Sequence, residues 1–542
     1  MIRDAYPIPF RLAAMFNRHP IIALLSIAIL VALGVWKYYE PARLAQERDK
    51  QLLLTSDAGA VDRTVTVWGD DWLGYMIFKS RAMQEALRKH RIGIRYVQVP
   101  DFRERVRGIA EGKCDFIAIT ADSYIANGKE FDYPGVILFL IDESFGGDAI
   151  IGGHSVPNLD ALNSDKLKGA LVGNSPSEFL LKSSMAHFRL EKLQPRIKSF
   201  RRDKAEDAYA DLASGKADFA VLWEPFASRA LRDIPGTRRL LDTSHARGLV
   251  LDVTVASRSV MLREPVVADH VTRAYFTALH YYLNNPNEMR ALAEAYSGQP
   301  AATVDPMLAG VRFISLDENR GDWFGIASTG AARITESMQA IADILVRAGD
   351  FPADPIAANP YSLLNSRVLA GMVTVPGLEQ VRLSRQQAHF ATLSESEWKA
   401  LPVTGTLLDD PINFSTGQAD LDEDSQALLR EAARRLVYYP AQRVMVTAQV
   451  SPGSDGEQDR LLSQARADAV RTFLINTGVH ASRVFADGRG STGLPERLPG
   501  ESDAAWKRRC RHARIYLLEP EAKSGGSSIT VNALHRDGEA KP

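Results

Sequence analysis

Ile109-Ala-Glu-Gly-Lys-Cys-Asp-Phe-Ile-Ala118 and Leu212-Ala-Ser-Gly-Lys-Ala-Asp-Phe-Ala-Val221 carry one pattern twice. In each copy a helical run ends at a glycine, the residue that closes a helix most readily because it takes positive φ without strain. The chain then turns through an aspartate into a short apolar run that reads as a buried strand. The shared Gly-Lys-x-Asp-Phe is short, but its setting is equivalent in both places. Two similar α/β lobes follow from it.

Working outward, residues 65–68 read as a strand followed by Gly69-Asp-Asp-Trp-Leu-Gly74, and residues 77–90 as a helix. A strand at 94–99, a helix at 102–111 and a strand at 116–119 come next, the last running into Thr120-Ala-Asp-Ser123. Strand, helix and strand in short succession imply a parallel sheet covered by helices. Between the blocks, Glu143-Ser-Phe-Gly-Gly-Asp148 and Gly152-Gly153 are glycine-rich enough to act as a hinge. In such sheets ligands bind beyond the C-terminal strand ends, where helix N-termini present free N–H groups. Loops 68–74, 120–123, 174–177 and 223–225 occupy those positions. The candidate ligand-binding residues are therefore Trp68, Asp70, Trp72, Thr120, Asp122, Ser175, Ser177, Trp223 and Glu224. Ser175 or Ser177 can cap its helix or donate to a ligand oxygen. The three tryptophans can stack on a ligand or fill the core between lobes. Asp70, Asp71, Asp122, Glu178 and Glu224 make the expected mouth acidic, which points to an amine-bearing or neutral ligand.

From about residue 65 to 366 the chain resembles the nitrate/sulfonate/taurine-type solute-binding proteins of ABC transporters. The resemblance rests on the Ala-x-Gly-x-x-Asp turn in each lobe, on Ser175-Pro-Ser-Glu-Phe-Leu-Leu181 and on Ala220-Val-Leu-Trp-Glu-Pro225. Tyr282-Leu-Asn-Asn-Pro286 and the segment 334–349 match as well. It implies a type II periplasmic-binding fold: two α/β lobes, two crossings between them and a ligand in the cleft.

A second domain starts near Pro402. It reads as a strand at 411–415, a helix at 424–438, a strand at 443–450, an amphipathic helix at 459–477 ending at Gly478, and a closing strand at 514–518. Asp459-Arg-Leu-Leu-Ser-Gln-Ala-Arg-Ala467, followed by Gly478-Val, Arg483-Val and Gly488-x-Gly490, resembles the OmpA-like peptidoglycan-associated family, with Asp459 in place of an asparagine. Such domains hold the diaminopimelate of peptidoglycan between an aspartate and an arginine. The arginine falls on Arg466, whose guanidinium can clamp a carboxylate. The aspartate falls on Ser451, which can hydrogen-bond an ammonium but cannot neutralise it; Asp455 lies four residues on. The family's closing Asn-Arg-Arg-Val is altered to His512-Ala-Arg-Ile515, which leaves Arg514 as the third candidate for wall contact. The resemblance thus implies peptidoglycan as a partner, with binding that is either retained or else weakened, altered or lost.

No residue from 20 to 36 is charged, Arg3, Arg11 and Arg18 precede the run, and Lys37, Tyr38 and Tyr39 follow it. That is the pattern of a short membrane anchor with its N-terminus in the cytoplasm. A cleaved signal peptide is the other reading, but the small-x-small site Ala58-Gly59-Ala60 lies about 20 residues beyond the apolar run. Flagellar stator B subunits resemble this plan of one helix and an OmpA-like domain, but they need a carboxylate in the membrane helix, and residues 20–36 contain none.

The net charge of -1 argues against nucleic acid as a partner. Two cysteines, Cys114 and Cys510, without a Cys-x-x-Cys pair argue against a disulfide framework, a structural zinc or a redox dithiol. Gly488-Arg-Gly-Ser-Thr-Gly493 fits Gly-x-Gly-x-x-Gly but lacks the strand-to-helix context of a dinucleotide site. No hydrolase, metalloprotease or Walker motif occurs, and His187, His270, His280 and His512 show no ligand spacing. Neither an enzyme, a metal site nor a cofactor is expected.

The expected organisation is a cytoplasmic N-terminus (1–19), an inner-membrane anchor (20–39), a stalk (40–61) and a bilobal α/β solute-binding domain (62–368). A linker (369–401), an α/β OmpA-like domain (402–520) and a disordered tail (521–542) complete it. The expected role is a tethered periplasmic receptor for a small molecule, for transport or sensing, beside a membrane transporter or an envelope complex. The alternative is an envelope scaffold whose binding fold docks a protein partner.

Overall fold

Gly112 and Gly215 take φ of 70° and 71°, each two residues past the end of a helix, Phe102–Ala110 and Ala205–Ala213. The aspartates that follow do identical work. The Asp115 carboxylate accepts the Thr66 N–H at 2.7 Å, and the Asp115 amide donates to the Thr66 carbonyl at 2.9 Å. The Asp218 carboxylate accepts the Lys168 N–H at 2.7 Å, and its amide donates to the Lys168 carbonyl at 2.7 Å. Each aspartate therefore fastens the strand it begins to a neighbour that starts far away in sequence.

This computed structural model describes residues 61–518 except 189, 245–247, 327–331, 373–389, 409, 437, 440–441 and 453–454, together with scattered positions from 37 to 56. The apolar run 20–36 of the expected anchor, much of the linker and the expected tail lie outside the described residues. Among the described residues no helix is long and apolar enough to cross a membrane. The described residues up to 64 together with 88–93 form one compact unit, and those of 65–87 and 94–518 another. Within the first, Arg91 holds both carboxylate oxygens of Asp62 at 2.6 Å.

The strands in chain order are β1 (Arg63–Gly69), β2 (Ile92–Gln98), β3 (Phe116–Thr120), β4 (Gly135–Ser144), β5 (Asp148–Gly152), β6 (Gly169–Val172), β7 (Arg201–Arg202) and β8 (Phe219–Trp223). They continue with β9 (Arg238–Asp242), β10 (Leu251–Ser257), β11 (Val311–Phe313), β12 (Val403–Thr406), β13 (Ile412–Asn413), β14 (Arg443–Ala448), β15 (Val484–Gly488) and β16 (His512–Leu518). The first lobe is a sheet of order β11-β4-β10-β3-β1-β2, and the second a sheet of order β7-β6-β8-β5-β9. The chain leaves the first lobe after β4 and builds the second. It then returns as β10, which pairs antiparallel with both β3 and β4. The result is a bilobal α/β fold crossed twice.

Residues 145–147 make the first crossing and residues 243–250 the second. Thr243 ties them together: its hydroxyl lies 2.8 Å from Ser144 Oγ and accepts the Gly146 N–H at 2.9 Å, and its amide donates to the Asp148 carbonyl at 3.0 Å. Gly147 has no room for a side chain, since a Cβ would come within 2.6 Å of the Trp72 ring and 2.8 Å of the Gly310 carbonyl. Gly152 and Gly153, expected as part of the hinge, belong instead to the second lobe. A Cβ on Gly152 would meet the Val156 carbonyl at 2.9 Å. The helix Arg333–Arg347 packs on Ala121–Gly128 in the first lobe and Pro176–His187 in the second, so a third connection spans them. The helix expected at 77–90 is divided. Leu73–Lys79 is a tight 3-10 helix, Ser80 breaks it by accepting the Met83 N–H at 3.2 Å, and Arg81–Arg88 follows as α-helix.

The C-terminal domain is a sheet of order β12-β16-β14-β15 with β13 also on β16, covered by the helices Glu423–Leu436 and Gly456–Asn476. Gly488 lets the second helix lie directly on β15, where a Cβ would stand 2.3 Å from the Gln464 nitrogen. This domain packs on the second lobe. The Tyr439 hydroxyl meets His187 Nδ1 at 2.7 Å, and Arg435 donates to the His187 and Leu407 carbonyls at 3.3 and 2.9 Å. Burial, then the Arg435 and Arg347 cations, push His187 down to about 3, so it serves this interface as a neutral ring.

Candidate functional site

Beyond the C-terminal ends of β1, β3 and β8 lies a cavity of about 280 Å³, reached by Asp70, Asp71, Trp72, Tyr75, Phe102, Thr120 and Asp252 from the first lobe. Asp148, Val172, Trp223, Phe226 and the segment Asp203 to Glu206 reach it from the second. Its size is at the small end of ordinary small-molecule sites.

The loop carrying Asp70 and Trp72 is held from several sides. Arg105, fully buried, pairs with the Asp70 carboxylate and donates to the Val99 and Ala118 carbonyls at 2.7 and 2.8 Å. Asp70 Oδ1 accepts the Trp72 N–H at 2.9 Å, and the hydroxyls of Tyr96 and Tyr296 donate to the Asp70 carbonyl at 2.6 and 2.8 Å. Asp70 is thus a neutralised anchor for the loop. Trp72 Nε1 donates to Asp142 at 3.2 Å, which sets the plane of its ring on the cavity wall.

Behind that wall stands a set of buried carboxylates. Asp142 and Asp252 are fully desolvated and face one another, so burial first and mutual repulsion second hold Asp252 well above the usual carboxylate range; burial also raises Asp142. The Tyr75 hydroxyl donates to Asp252. Asp148, only 2% exposed, accepts from Ser144 Oγ at 2.7 Å through one oxygen, while the other, Oδ1, has no hydrogen-bond partner. Burial pushes Asp148 up to about 7, with Asp122, Glu224 and Asp70 adding repulsion against the Ser144 hydrogen bond.

Four expected site residues meet at the cavity: Asp70, Trp72, Thr120 and Trp223. The others are placed elsewhere. Trp68 lies over the helix Phe102–Ala110 at Gly108, where a Cβ would meet its ring at 2.3 Å. Asp122 is buried beside Ser123, whose hydroxyl donates to it at 3.2 Å, and burial raises it to about 6. Ser175 stands at the N-cap position, yet its hydroxyl donates backwards to the Val172 carbonyl at 2.7 Å and caps nothing. Ser177 is buried with no hydrogen-bond partner for its hydroxyl. Glu224 accepts from the Ser228 amide and hydroxyl at 3.2 and 2.7 Å, and so closes the first turn of the helix Phe226–Asp233.

Asp142, Asp148 and Asp252 escaped the sequence reading, although a signal was present. Asp142 ends the apolar run Val136-Ile-Leu-Phe-Leu-Ile141, and Asp252 interrupts Leu249-Val-Leu-Asp-Val-Thr-Val255. A carboxylate inside a buried strand needs a reason.

In the C-terminal domain Arg466 is fully buried and spends its donors on backbone. It donates to the carbonyls of Gln418 and Ser415 at 2.8 Å and of Gln449 at 3.4 Å, with its guanidinium over the Phe414 ring at 5.0 Å. Burial lowers it to about 10. Asp455 caps the helix Gly456–Asn476 by accepting the Glu457 and Gln458 amides at 2.9 and 3.3 Å. Ser451 is half-buried in the turn after β14. Residues 413–505 match the OmpA family.

On the open face of that OmpA domain, Arg514 lines a second cavity of about 310 Å³ with Arg489, Arg509, His512 and Gln449. Among solved structures, the chain is similar to the periplasmic aliphatic sulphonate-binding protein of Escherichia coli at 17% identity. That match has a TM-score of 0.42 and covers 54% of this chain and 89% of that one. The periplasmic nitrate-binding protein of Synechocystis PCC 6803 is 14% identical, with a TM-score of 0.42, over 56% of this chain and 86% of that one. The ligand-binding component of an ABC-type import system from Staphylococcus aureus is 12% identical, with a TM-score of 0.44, over 58% and 99%. No curated protein matches the sequence. Among the described residues no group of three or more His, Cys, Asp or Glu side chains is arranged to hold a metal ion.

Proposed function

We propose that this chain is a periplasmic solute-binding protein. It is anchored in the inner membrane through residues 20–39, takes a small molecule into the cavity between its lobes, and contacts peptidoglycan through its OmpA domain. The observation that carries the reading is the cavity itself: it lies at the strand ends of two lobes joined by a glycine crossing, lined by Trp72 from the first lobe and Trp223 from the second. Binding is the role this reading assigns, with the loop that carries Asp70 and Trp72 held in place by Arg105 and Thr120 bonded to Ser123. The OmpA match supports wall contact, with Ser451, Arg466 and Arg514 as the residues of interest. Tethering between wall and membrane raises the local concentration at a fixed transporter or sensor and suits delivery there better than free diffusion.

The test is thermal denaturation of the full-length chain in mild detergent against a broad panel of small molecules. A ligand that binds only the folded state adds about 2.7 kcal/mol of stability at a hundredfold excess over Kd. The expected result is a rise in Tm that Trp223→Ala abolishes. A folded chain that responds to nothing in the panel would shift the reading to a scaffold whose lobes dock a protein. Retention on purified sacculi and resistance of the membrane fraction to alkaline extraction test the two ends of the molecule separately.

A further inference from the structure

Building on the receptor reading above, we propose that the cleft selects a small organic cation, a protonated amine or quaternary ammonium on an apolar or aromatic body, and rejects sulfonates and other anions. The charge around the cavity is one-sided. Among the described residues, Asp71, Asp148, Asp252, Asp203 and Glu206 line it, against Lys204 as the one cation. Arg105, the nearest buried cation, is consumed by Asp70 and three backbone carbonyls.

The second observation is independent of that count. Asp148 is 2% exposed, lines the cavity, and leaves Oδ1 with no hydrogen-bond partner. A carboxylate oxygen withdrawn from water and given no donor is costly unless something brings a donor or a positive charge to it. An ammonium supplies both. Trp72, Trp223 and Phe226 line the same cavity, and aromatic rings attract a cation through their quadrupoles and accept an apolar body. An anion would meet those carboxylates in a low-dielectric cavity, without a free cation deep in the wall among the described residues.

The groups facing Asp148 are Ser144 at the end of β4, Asp122, Asp142 and Asp252 from the first lobe, Glu224 beyond β8, and Asp70 across the cleft. All the titratable ones are acids, so they oppose its ionisation. Entry of a cation therefore displaces a proton from this set to solvent. With Asp148 near 7, affinity should rise about tenfold between pH 6 and pH 8.

The experiment is isothermal titration of the full-length chain with three matched series. Methylammonium, tetramethylammonium, 2-phenylethylammonium and benzyltrimethylammonium form the cations, 2-phenylethanesulfonate and benzoate the anions, and 2-phenylethanol the neutral control. The expected result is binding within the cation series, weakened tenfold or more by Asp148→Asn, with proton release seen as a difference in heat between phosphate and Tris buffers. Binding of an anion or the neutral alcohol with silence from every cation overturns the charge selection, and leaves the receptor reading standing. Cation binding that both Asp148→Asn and Asp252→Asn leave unchanged overturns it too, since the cation then sits elsewhere. Silence from all three series in a folded chain overturns this inference and the receptor reading together.

Discussion

Asp148→Asn should flatten the dependence of stability on pH. The carboxyl is raised from 3.8 to about 7 in the folded chain, so the folded state holds its proton over a range where the unfolded state has released it. Stability contributed by a raised carboxyl is fully present below the unfolded pKa and is lost as pH climbs through the folded one. A tenfold change in proton affinity is worth about 1.4 kcal/mol. Integrated from about pH 5 to about pH 8, Asp148 alone removes about 3 kcal/mol. The window opens above the ordinary carboxylate value and closes near pH 8. Asparagine has no proton to lose, and its carbonyl oxygen can still accept the Ser144 hydroxyl that Asp148 accepts at 2.7 Å. The assay is urea denaturation at a series of pH values, followed by tryptophan fluorescence, with Trp72 and Trp223 at the cavity as reporters. The wild-type chain should weaken toward pH 8, and the variant by about 3 kcal/mol less. Two profiles that run parallel would refute the reasoning, because Asp148 would then titrate alike in both states.

Three other changes probe different parts of the molecule. Arg105→Met leaves the Asp70 carboxylate unpaired under the loop and should cost about 3–5 kcal/mol in urea denaturation; adding Asp70→Asn should recover part of it. Tyr439→Phe removes the hydroxyl that meets His187, and should lower the midpoint of the transition that separates the OmpA domain from the second lobe, by about 1–2 kcal/mol. Arg466→Met strands the Gln418, Ser415 and Gln449 carbonyls at roughly 1–3 kcal/mol each, so loss of sacculus retention should come with a lowered melting temperature by circular dichroism. A variant that keeps its melting temperature but loses retention would instead make Arg466 a contact residue.

What the sequence disclosed was whatever local chemistry dictates. Gly112 and Gly215 announce helix ends because few other residues accept their φ, and the aspartate three residues on announces a strand that must be fastened to a distant neighbour. What it withheld depends on residues far away. Trp68 and Trp72 look equivalent at a strand end, but Gly108 on the helix opposite leaves a hollow that takes Trp68, while Asp142 holds Trp72 at the cavity. Ser175 has the residue type and position of a cap, yet the Val172 carbonyl is the acceptor it finds. Arg466 matches a family position for gripping a ligand, but its donors are met by three carbonyls of its own domain.

The carboxylates that the sequence reading passed over share one further property. Asp142 lies three residues before the first crossing, Asp148 directly after it, and Asp252 two residues after the second. Ser144 and Thr243 join the two crossings by hydrogen bonds that include Asp148, and Asp148 itself lines the cavity. A ligand that engages Oδ1 acts on a side chain whose other oxygen is bonded to Ser144 and whose carbonyl accepts the Thr243 amide. The helix Arg333–Arg347, resting on both lobes, is a further link between them. The OmpA domain packs on the second lobe at His187, so whatever moves that lobe also moves the domain proposed to hold the wall.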